Sequence, residues 1–441
     1  DMFSSSLEIN HVMDAMTFSA VTGWREYKTE LDWELDAANS PDYFFHGRNP
    51  EDNDYLSQEL RLTGFTGRVK WTFGAGYSRE RVSQDSTALF NLSTLESFAW
   101  AEILKNAGSE TSDTFLDVIA DLQPRTAAFE PWPEEVRSSG TYESWAVYGD
   151  ATWGISDRLN LTGGLRYTRD VTQGDSWDNV SGRIVLDYAA SDDAMVYGSV
   201  ATGFKSGGFN TFNFGPNIDT SYDGEEITNY EAGLKGQFLQ RRLLLHLAAF
   251  FYEYDNLQEL KLLGQPVPNY NLCNSDAEGY GLELEALWRA TPDLSLGGNY
   301  SWLETEYTKF NILEAAGESP EEDLTGEPRI GTPKHKVNLH LEYIVRLGEF
   351  GQLVPRLDYS WNDRRLASLN DPAREVDAFS ITNARLTLLP DSGKWEIALW
   401  STNLLDEEVH IEFGDNGYAI GSLTAARIPP RMIGADLAYH F

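Results

Sequence analysis

The chain closes on Arg431-Met432-Ile433-Gly434-Ala435-Asp436-Leu437-Ala438-Tyr439-His440-Phe441. Counted back from the terminal Phe, every second residue is apolar: Phe441, Tyr439, Leu437, Ala435 and Ile433. The residues between them, His440, Ala438, Asp436 and Gly434, are polar or small. Side chains alternate across a strand, so this segment has one apolar face and one wet face. A soluble sheet shows such a pattern once. Here it recurs along nearly the whole chain, which predicts an all-β fold: an antiparallel transmembrane β-barrel of the bacterial outer membrane.

Other segments repeat the pattern. Trp145, Val147, Ala151 and Trp153 oppose Tyr148, Asp150 and Thr152. Leu282, Leu284, Ala286 and Trp288 oppose Glu283, Glu285 and Arg289, and Val337, Leu339, Leu341 and Tyr343 oppose Asn338, His340 and Glu342. The charged set must face a wet lumen, because a charge at the bilayer midplane costs about 2–4 kcal/mol. The low mean hydropathy is therefore compatible with a membrane, since alternation hides the apolar face from an average. Trp (13) and Tyr (21) together outnumber Phe (22), as interfacial girdles require. Trp153, Tyr167, Trp288, Tyr300, Trp302, Tyr359, Trp361 and Trp395 are the girdle residues expected.

Seventeen strand-like segments are read, from 4–12 to 430–441. Tight turns such as Ala190-Ser191-Asp192-Asp193 and Pro390-Asp391-Ser392-Gly393 alternate with long links at 29–54, 83–139, 207–225, 258–274, 309–332 and 407–429. Short periplasmic turns and long extracellular loops give an up-and-down barrel. The link at 174–177 departs from this, being short where a long loop is expected. The 83–139 loop is long enough for structure of its own. Ser93-Thr94-Leu95-Glu96 is a capping box, followed by apolar residues at helical spacing, and a second such run is Phe115, Val118, Ile119 and Leu122. Two short helices are expected there.

Four segments in order resemble TonB-dependent receptors, the energised outer-membrane transporters. They are Leu56-Ser57-Gln58-Glu59-Leu60-Arg61-Leu62, the run from Val196 through Gly203-Phe204-Lys205-Ser206-Gly207-Gly208-Phe209-Asn210, Asn229-Tyr230-Glu231-Ala232-Gly233-Leu234-Lys235, and Thr402-Asn403-Leu404-Leu405-Asp406-Glu407-Glu408. The resemblance covers about residue 55 to 441. It implies a barrel of twenty-two strands with a plugged lumen. If the last strand is the twenty-second, 4–12 is the sixth, and 1–441 is a partial barrel domain lacking the plug and first strands. Asp1 is preceded by no signal-peptide pattern, so a leader has been removed or the start lies upstream.

The resemblance implies capture of a scarce nutrient, most often a ferric siderophore, with the TonB complex as partner only if the plug is present. Outer-membrane lipid and lipopolysaccharide are the surrounding partners. Ligand contacts are expected from the long loops, at Lys205, Phe209, Asn210, Phe212, His410 and Tyr418. The glycine-rich stretch opens no helix, so it reads as a strand end entering a surface loop and not as a phosphate cradle.

The net charge of −35 weighs against nucleic acid as a partner, and the acidic loops read either as surface charge bridged to lipopolysaccharide by divalent cations or as a field that favours a neutral or cationic ligand over an anionic ferric catecholate. The acidic residues crowd 29–54 and 309–332. The seven histidines form no HExxH pair, with His246 and His340 expected in the lumen lining; no metal site, cofactor or catalytic residue is expected, and no G-x-S-x-G occurs. Cys273 reads as an incidental loop thiol. The alternative is a passive, porin-like channel narrowed by the 83–139 loop. A soluble, acidic all-β binding protein is a third class, opposed by the repeated Trp and Tyr strand ends.

Overall fold

The structure, a computed structural model, describes residues 1–34, 45–90, 132–172, 174–209, 221–263, 269–310, 324–367, 375–414 and 424–440. The first strands are β1 (Met2–Val12), β2 (Met16–Glu34), β3 (Phe45–Thr66), β4 (Val69–Phe90), β5 (Trp132–Gly154), β6 (Leu159–Thr172), β7 (Asp175–Ser191) and β8 (Ala194–Lys205). There follow β9 (Gly208–Phe209), β10 (Ser221–Tyr222), β11 (Glu225–Phe238), β12 (Leu243–Leu263), β13 (Asn269–Arg289), β14 (Leu294–Lys309), β15 (His335–Tyr343) and β16 (Val345–Arg346). The last are β17 (Gly351–Asn362), β18 (Arg365–Leu366), β19 (Glu375–Val376), β20 (Phe379–Pro390), β21 (Trp395–Thr402), β22 (His410–Gly414), β23 (Thr424–Arg427) and β24 (Met432–Tyr439).

Each wall strand pairs antiparallel with its sequence neighbours, from β1–β2 through β8–β11 to β21–β24. β15 and β16 flank Ile344 and both pair with β17, so they count as one wall strand. The eighteen-stranded sheet thus has seventeen wall strands, at the seventeen segments expected from the sequence. Among the described residues no pairing joins β1 to β24, and the sheet is open there. β9–β10, β18–β19 and β22–β23 are small hairpins in the long links.

Outer and inner faces separate as the alternation requires. Two aromatic rings mark the membrane boundaries. Trp153, Tyr188, Trp288, Tyr343, Trp395 and Tyr439 lie exposed by the short turns, and Trp145, Tyr167, Tyr230, Tyr280 and Tyr300 lie exposed higher up. Trp153 to Trp145 is eight residues, as is Trp288 to Tyr280. At ~3.4 Å per residue and a tilt of ~40° this gives about 20 Å of height, close to the ~25 Å apolar band of such barrels. Of the expected girdle, Trp302, Tyr359 and Trp361 are half-buried.

The inner face carries polar ladders. Arg183 bonds Asp150 (2.8 Å), Arg385 bonds Asp436 (2.7 Å), Arg356 bonds Asp358 (2.7 Å), and His246 lies 3.3 Å from Glu285. An aromatic side chain repeatedly lies over a glycine of the neighbouring strand: Tyr148 over Gly74, Tyr197 over Gly233, Tyr252 over Gly279, His340 over Gly297 and Trp400 over Gly434. Each ring shields bare backbone that a side chain would otherwise cover.

The long links are shorter than the sequence suggested. β2 and β3 continue pairing to Glu34↔His46, β4 and β5 to Phe90↔Trp132, and β12 and β13 to Leu263↔Asn269. The alternation signal vanishes there because both faces of the ribbon are wet, so polar residues such as Asp52 and Arg48 occupy either face. The two helices expected in 83–139 lie outside the described residues. Thr172 pairs with Asp175, so the short link on the long-loop side is real.

Candidate functional site

The extracellular end of β12 breaks the alternation. Tyr254 pairs with Ala277, but the next pair is Leu257 with Ser275, so Asp255 and Asn256 form a bulge. Asn256 takes φ +55°, a region that Asn tolerates, and its N–H donates to Asp276 at 2.9 Å. A bulge shifts the set of residues facing each side. Below it the even-numbered Tyr252 and Tyr254 face inward. Above it Leu257 and Glu259 do, and Gln258 turns to the other face.

Each face captures a loop. Inward, Leu257, Ala277, Tyr307 and Phe310 form a buried cluster with Tyr254, Cys273, Leu324 and Ile330 packed on it. Tyr307 and Phe310 stack at 4.7 Å. The 324–334 segment is laced to β14: Gly326 N donates to Tyr307 O (2.8 Å), Tyr307 N to Glu327 O (3.0 Å), and Arg329 N to Thr305 Oγ1 (3.2 Å). The Arg329 guanidinium then reaches the buried Glu259 carboxylate at 3.2 Å and lies 5.4 Å over the Tyr254 ring. Tyr307 donates to the same carboxylate oxygen at 3.2 Å.

These groups stand above the upper girdle, outside the membrane-spanning part of their strands. Burial opposes the Arg329 charge, but Glu259 more than offsets it and holds the guanidinium above its usual value. Burial, and then the Glu259 carboxylate, push the Tyr307 phenol well above its ordinary 10.0. A folded-state value raised in this way contributes stability that is complete below pH 10, and that is lost as pH climbs through the folded value. The 324–334 segment should therefore loosen only in strong alkali. A difference titration at 295 nm between the parent and Tyr307→Phe should show one phenol ionising later than the rest.

On the other face, Gln258 Nε2 donates to Ser206 O (2.9 Å) and Asp223 O (3.1 Å), while Asn274 and Asp223 exchange bonds at 2.8 and 3.2 Å. This pins the β8–β11 connection. Gly207 and Gly208 are buried beneath Trp177 and Tyr222. A Cβ at Gly207 would strike the Trp177 indole and the Tyr222 carbonyl oxygen. Gly207→Ala is expected to displace the connection, raising its protease cleavage severalfold and leaving the heat-modifiable gel mobility of the barrel unchanged.

Two of the six expected contact residues stand here. Lys205 is exposed at the end of β8 opposite Glu225, and Phe209 meets Trp177 edge-on at 6.2 Å. His410 is elsewhere, eight strand-to-strand steps around the sheet, in the β22–β23 hairpin. Its Nε2 accepts from Arg427 at 3.0 Å, and Glu375, Asp377, Glu407 and Glu408 lie around it. Asn210, Phe212 and Tyr418 lie outside the described residues. Cys273 is not a loop thiol: it lies in β13, half-buried, and its Sγ donates to Glu259 O at 3.4 Å, because paired strands extend past the bulge. The sequence reading missed Gln258, Glu259, Tyr307 and Arg329. The signal was present in the change of parity from Tyr252 and Tyr254 to Leu257 and Glu259.

Comparison with known proteins agrees with this architecture. The pesticin receptor of Yersinia pestis is 31% identical over 234 residues, covering 49% of this chain and 32% of its own length. The ferric yersiniabactin uptake receptor FyuA from Yersinia pestis superposes with a TM-score of 0.75 at 19% identity, over 100% of this chain and 61% of that one. The siderophore receptor PiuA from Acinetobacter baumannii gives 0.72 at 18%, over 100% and 64%. The chain thus spans about a third of the length of the curated pesticin receptor. The family model described as TonB dependent receptor-like, beta-barrel matches residues 12–404. With that match over most of its length, this chain belongs to the TonB-dependent receptor β-barrel family and is an integral protein of the outer membrane.

Proposed function

We propose that this chain forms the wall of a receptor for TonB-energised uptake of a ferric siderophore. The observation that carries the reading is the Leu257-Gln258-Glu259 stretch, which fixes two extracellular connections to the wall, one through Gln258 and one through Glu259. Connections anchored to the wall at the mouth of a charged lumen suit selective capture, since pre-ordered contacts lose less entropy on binding. Lys205 and Phe209 on the first connection and His410 in the β22–β23 hairpin are the contacts proposed, together with Asn210, Phe212 and Tyr418. The names of the related receptors support a siderophore. The net charge of −35 supports a neutral or cationic ferric chelate. The reading involves no enzymatic step. The TonB complex is its energising partner, and lipopolysaccharide its surrounding lipid.

The test is growth. The complete gene product, expressed in an iron-limited strain lacking siderophore receptors, should restore growth on at least one ferric siderophore, with loss of that growth when TonB is deleted. Growth restored equally without TonB, together with ion conductance in planar bilayers, would favour a passive channel.

A further inference from the structure

Two register faults lie side by side where the sheet rises above the upper girdle. In β12, Asp255 and Asn256 together stand opposite Asp276. In β14, Asp276 pairs with Lys309 and Ala277 with Tyr307, so Thr308 is an extra residue. Both faults therefore meet at Asp276, whose carboxylate accepts the Asn256 N–H at 2.9 Å. They draw a line across β12, β13 and β14. A bulge interrupts the ladder and bends its strand, so a line of bulges is where a sheet can flex.

Above this line the wall narrows to two strands. The β11–β12 ladder ends at Asp255, and the β13–β14 ladder ends at Asp276. Residues 257–263 and 269–275 go on pairing with each other. Among the described residues no further strand joins either side of this ribbon. A two-stranded ribbon is marginally stable by itself, so its position comes from what grips its sides. Side chains take part in each grip. Toward β11, Gln258 N donates to the Glu225 carboxylate at 2.9 Å, beside the Gln258 bond to Ser206 and the Asn274 bond to Asp223. Toward β14, Leu257 packs with Tyr307 and Phe310, and Glu259 holds Arg329.

A ribbon hinged at its base and gripped on both sides moves against both grips at once. Gln258 and Glu259 are neighbours in one strand, so a swing that parts Glu259 from Arg329 also carries Gln258 away from Ser206 and Asp223. We propose that residues 257–263 and 269–275 form a lever, pivoted at Asp276, that makes the β8–β11 connection and the 324–334 segment open and close as one unit. A packed element of this kind is a physical carrier of coupling between sites that share no direct contact. A ligand that orders Lys205 and Phe209 would then order the 324–334 segment as well. That use rests on the uptake reading; the coupling itself does not.

The test is amide hydrogen exchange, read by mass spectrometry on the whole chain folded in detergent micelles without ligand. Arg329→Ala breaks one grip from the 324–334 side, and Gly207→Ala displaces the connection that forms the other. Neither residue belongs to the ribbon. Arg329→Ala should raise exchange of the 221–225 peptide about tenfold, and Gly207→Ala should do the same for 324–329, a size usual for coupled sites. Asp276→Ala touches neither grip and should raise both peptides by one shared factor. Peptides below the hinge, 244–252 and 279–287, should exchange as in the parent. Heat-modifiable mobility verifies that each variant remains a folded barrel. Effects confined to the side of each substitution overturn the proposal, as does Asp276→Ala acting on one side alone. A matching rise below the hinge would place the change in the whole wall and overturns it too. Because no ligand is present, a failed growth test leaves the coupling standing, and uncoupled connections leave the uptake reading standing.

Discussion

Replacing Glu259 with alanine is expected to release the 324–334 segment from the wall. The Glu259 and Arg329 side chains are only 10% and 20% exposed. Removing one partner strands a mostly buried guanidinium, which costs about 3–5 kcal/mol. The cost should appear locally, because the wall strands keep their own backbone pairing. Hydrogen exchange across 305–334 should rise by two or more orders of magnitude, the factor that a loss of about 3 kcal/mol implies. Barrel mobility on unheated gels should not change. The double substitution Glu259→Leu, Arg329→Met is the informative partner. It removes both charges while keeping apolar volume, and such replacements are often neutral. Protection restored in the double variant locates the effect in the unpaired charge. Protection unchanged in Glu259→Ala would mean that Tyr307, Phe310, Leu324 and Ile330 hold the segment by packing alone.

Gly281→Val is expected to cost about 3 kcal/mol, the upper end of the range for overpacking. A Cβ there runs into the Trp302 carbonyl oxygen, and the Phe250 ring stands 2.8 Å away. Backbone across a paired strand cannot step aside as a flexible side chain can. Gly163→Val is the matched control, since its Cβ position is open. The pair should differ by about 1–3 M urea in refolding midpoint, given slopes of about 1–3 kcal/mol per molar. Equal midpoints would show that the sheet relaxes around position 281.

The wall itself was legible in the sequence. Segments such as 140–155 and 282–289 alternate strictly because lipid on one side and water on the other impose a period of two on every spanning strand. The turn lengths gave the up-and-down order for the same reason: hairpins on the short side leave little choice. The legibility ended where the membrane did. Between Lys28 and Glu34, or Ser83 and Phe90, both faces meet water, the pattern lapses, and paired strands look like loops. The candidate site was legible only in part. Lys205 and Phe209 were named from a glycine-rich strand end, and they do stand on a connection held in place. Glu259 and Arg329 were not, because 70 residues separate them and no local pattern marks one as the other's partner.

By itself, then, the sequence determined the fold class, the strand order, the lipid-facing and lumen-facing sets and the aromatic boundaries, since each follows from the solvent that a residue meets. Only the tertiary structure decided what lies beyond the girdles: that the bulge at Asn256 turns Glu259 inward and Gln258 away, and that two distant connections close on that stretch. Those contacts join residues far apart in the chain, and their energy depends on burial and register that exist only once neighbouring strands have paired.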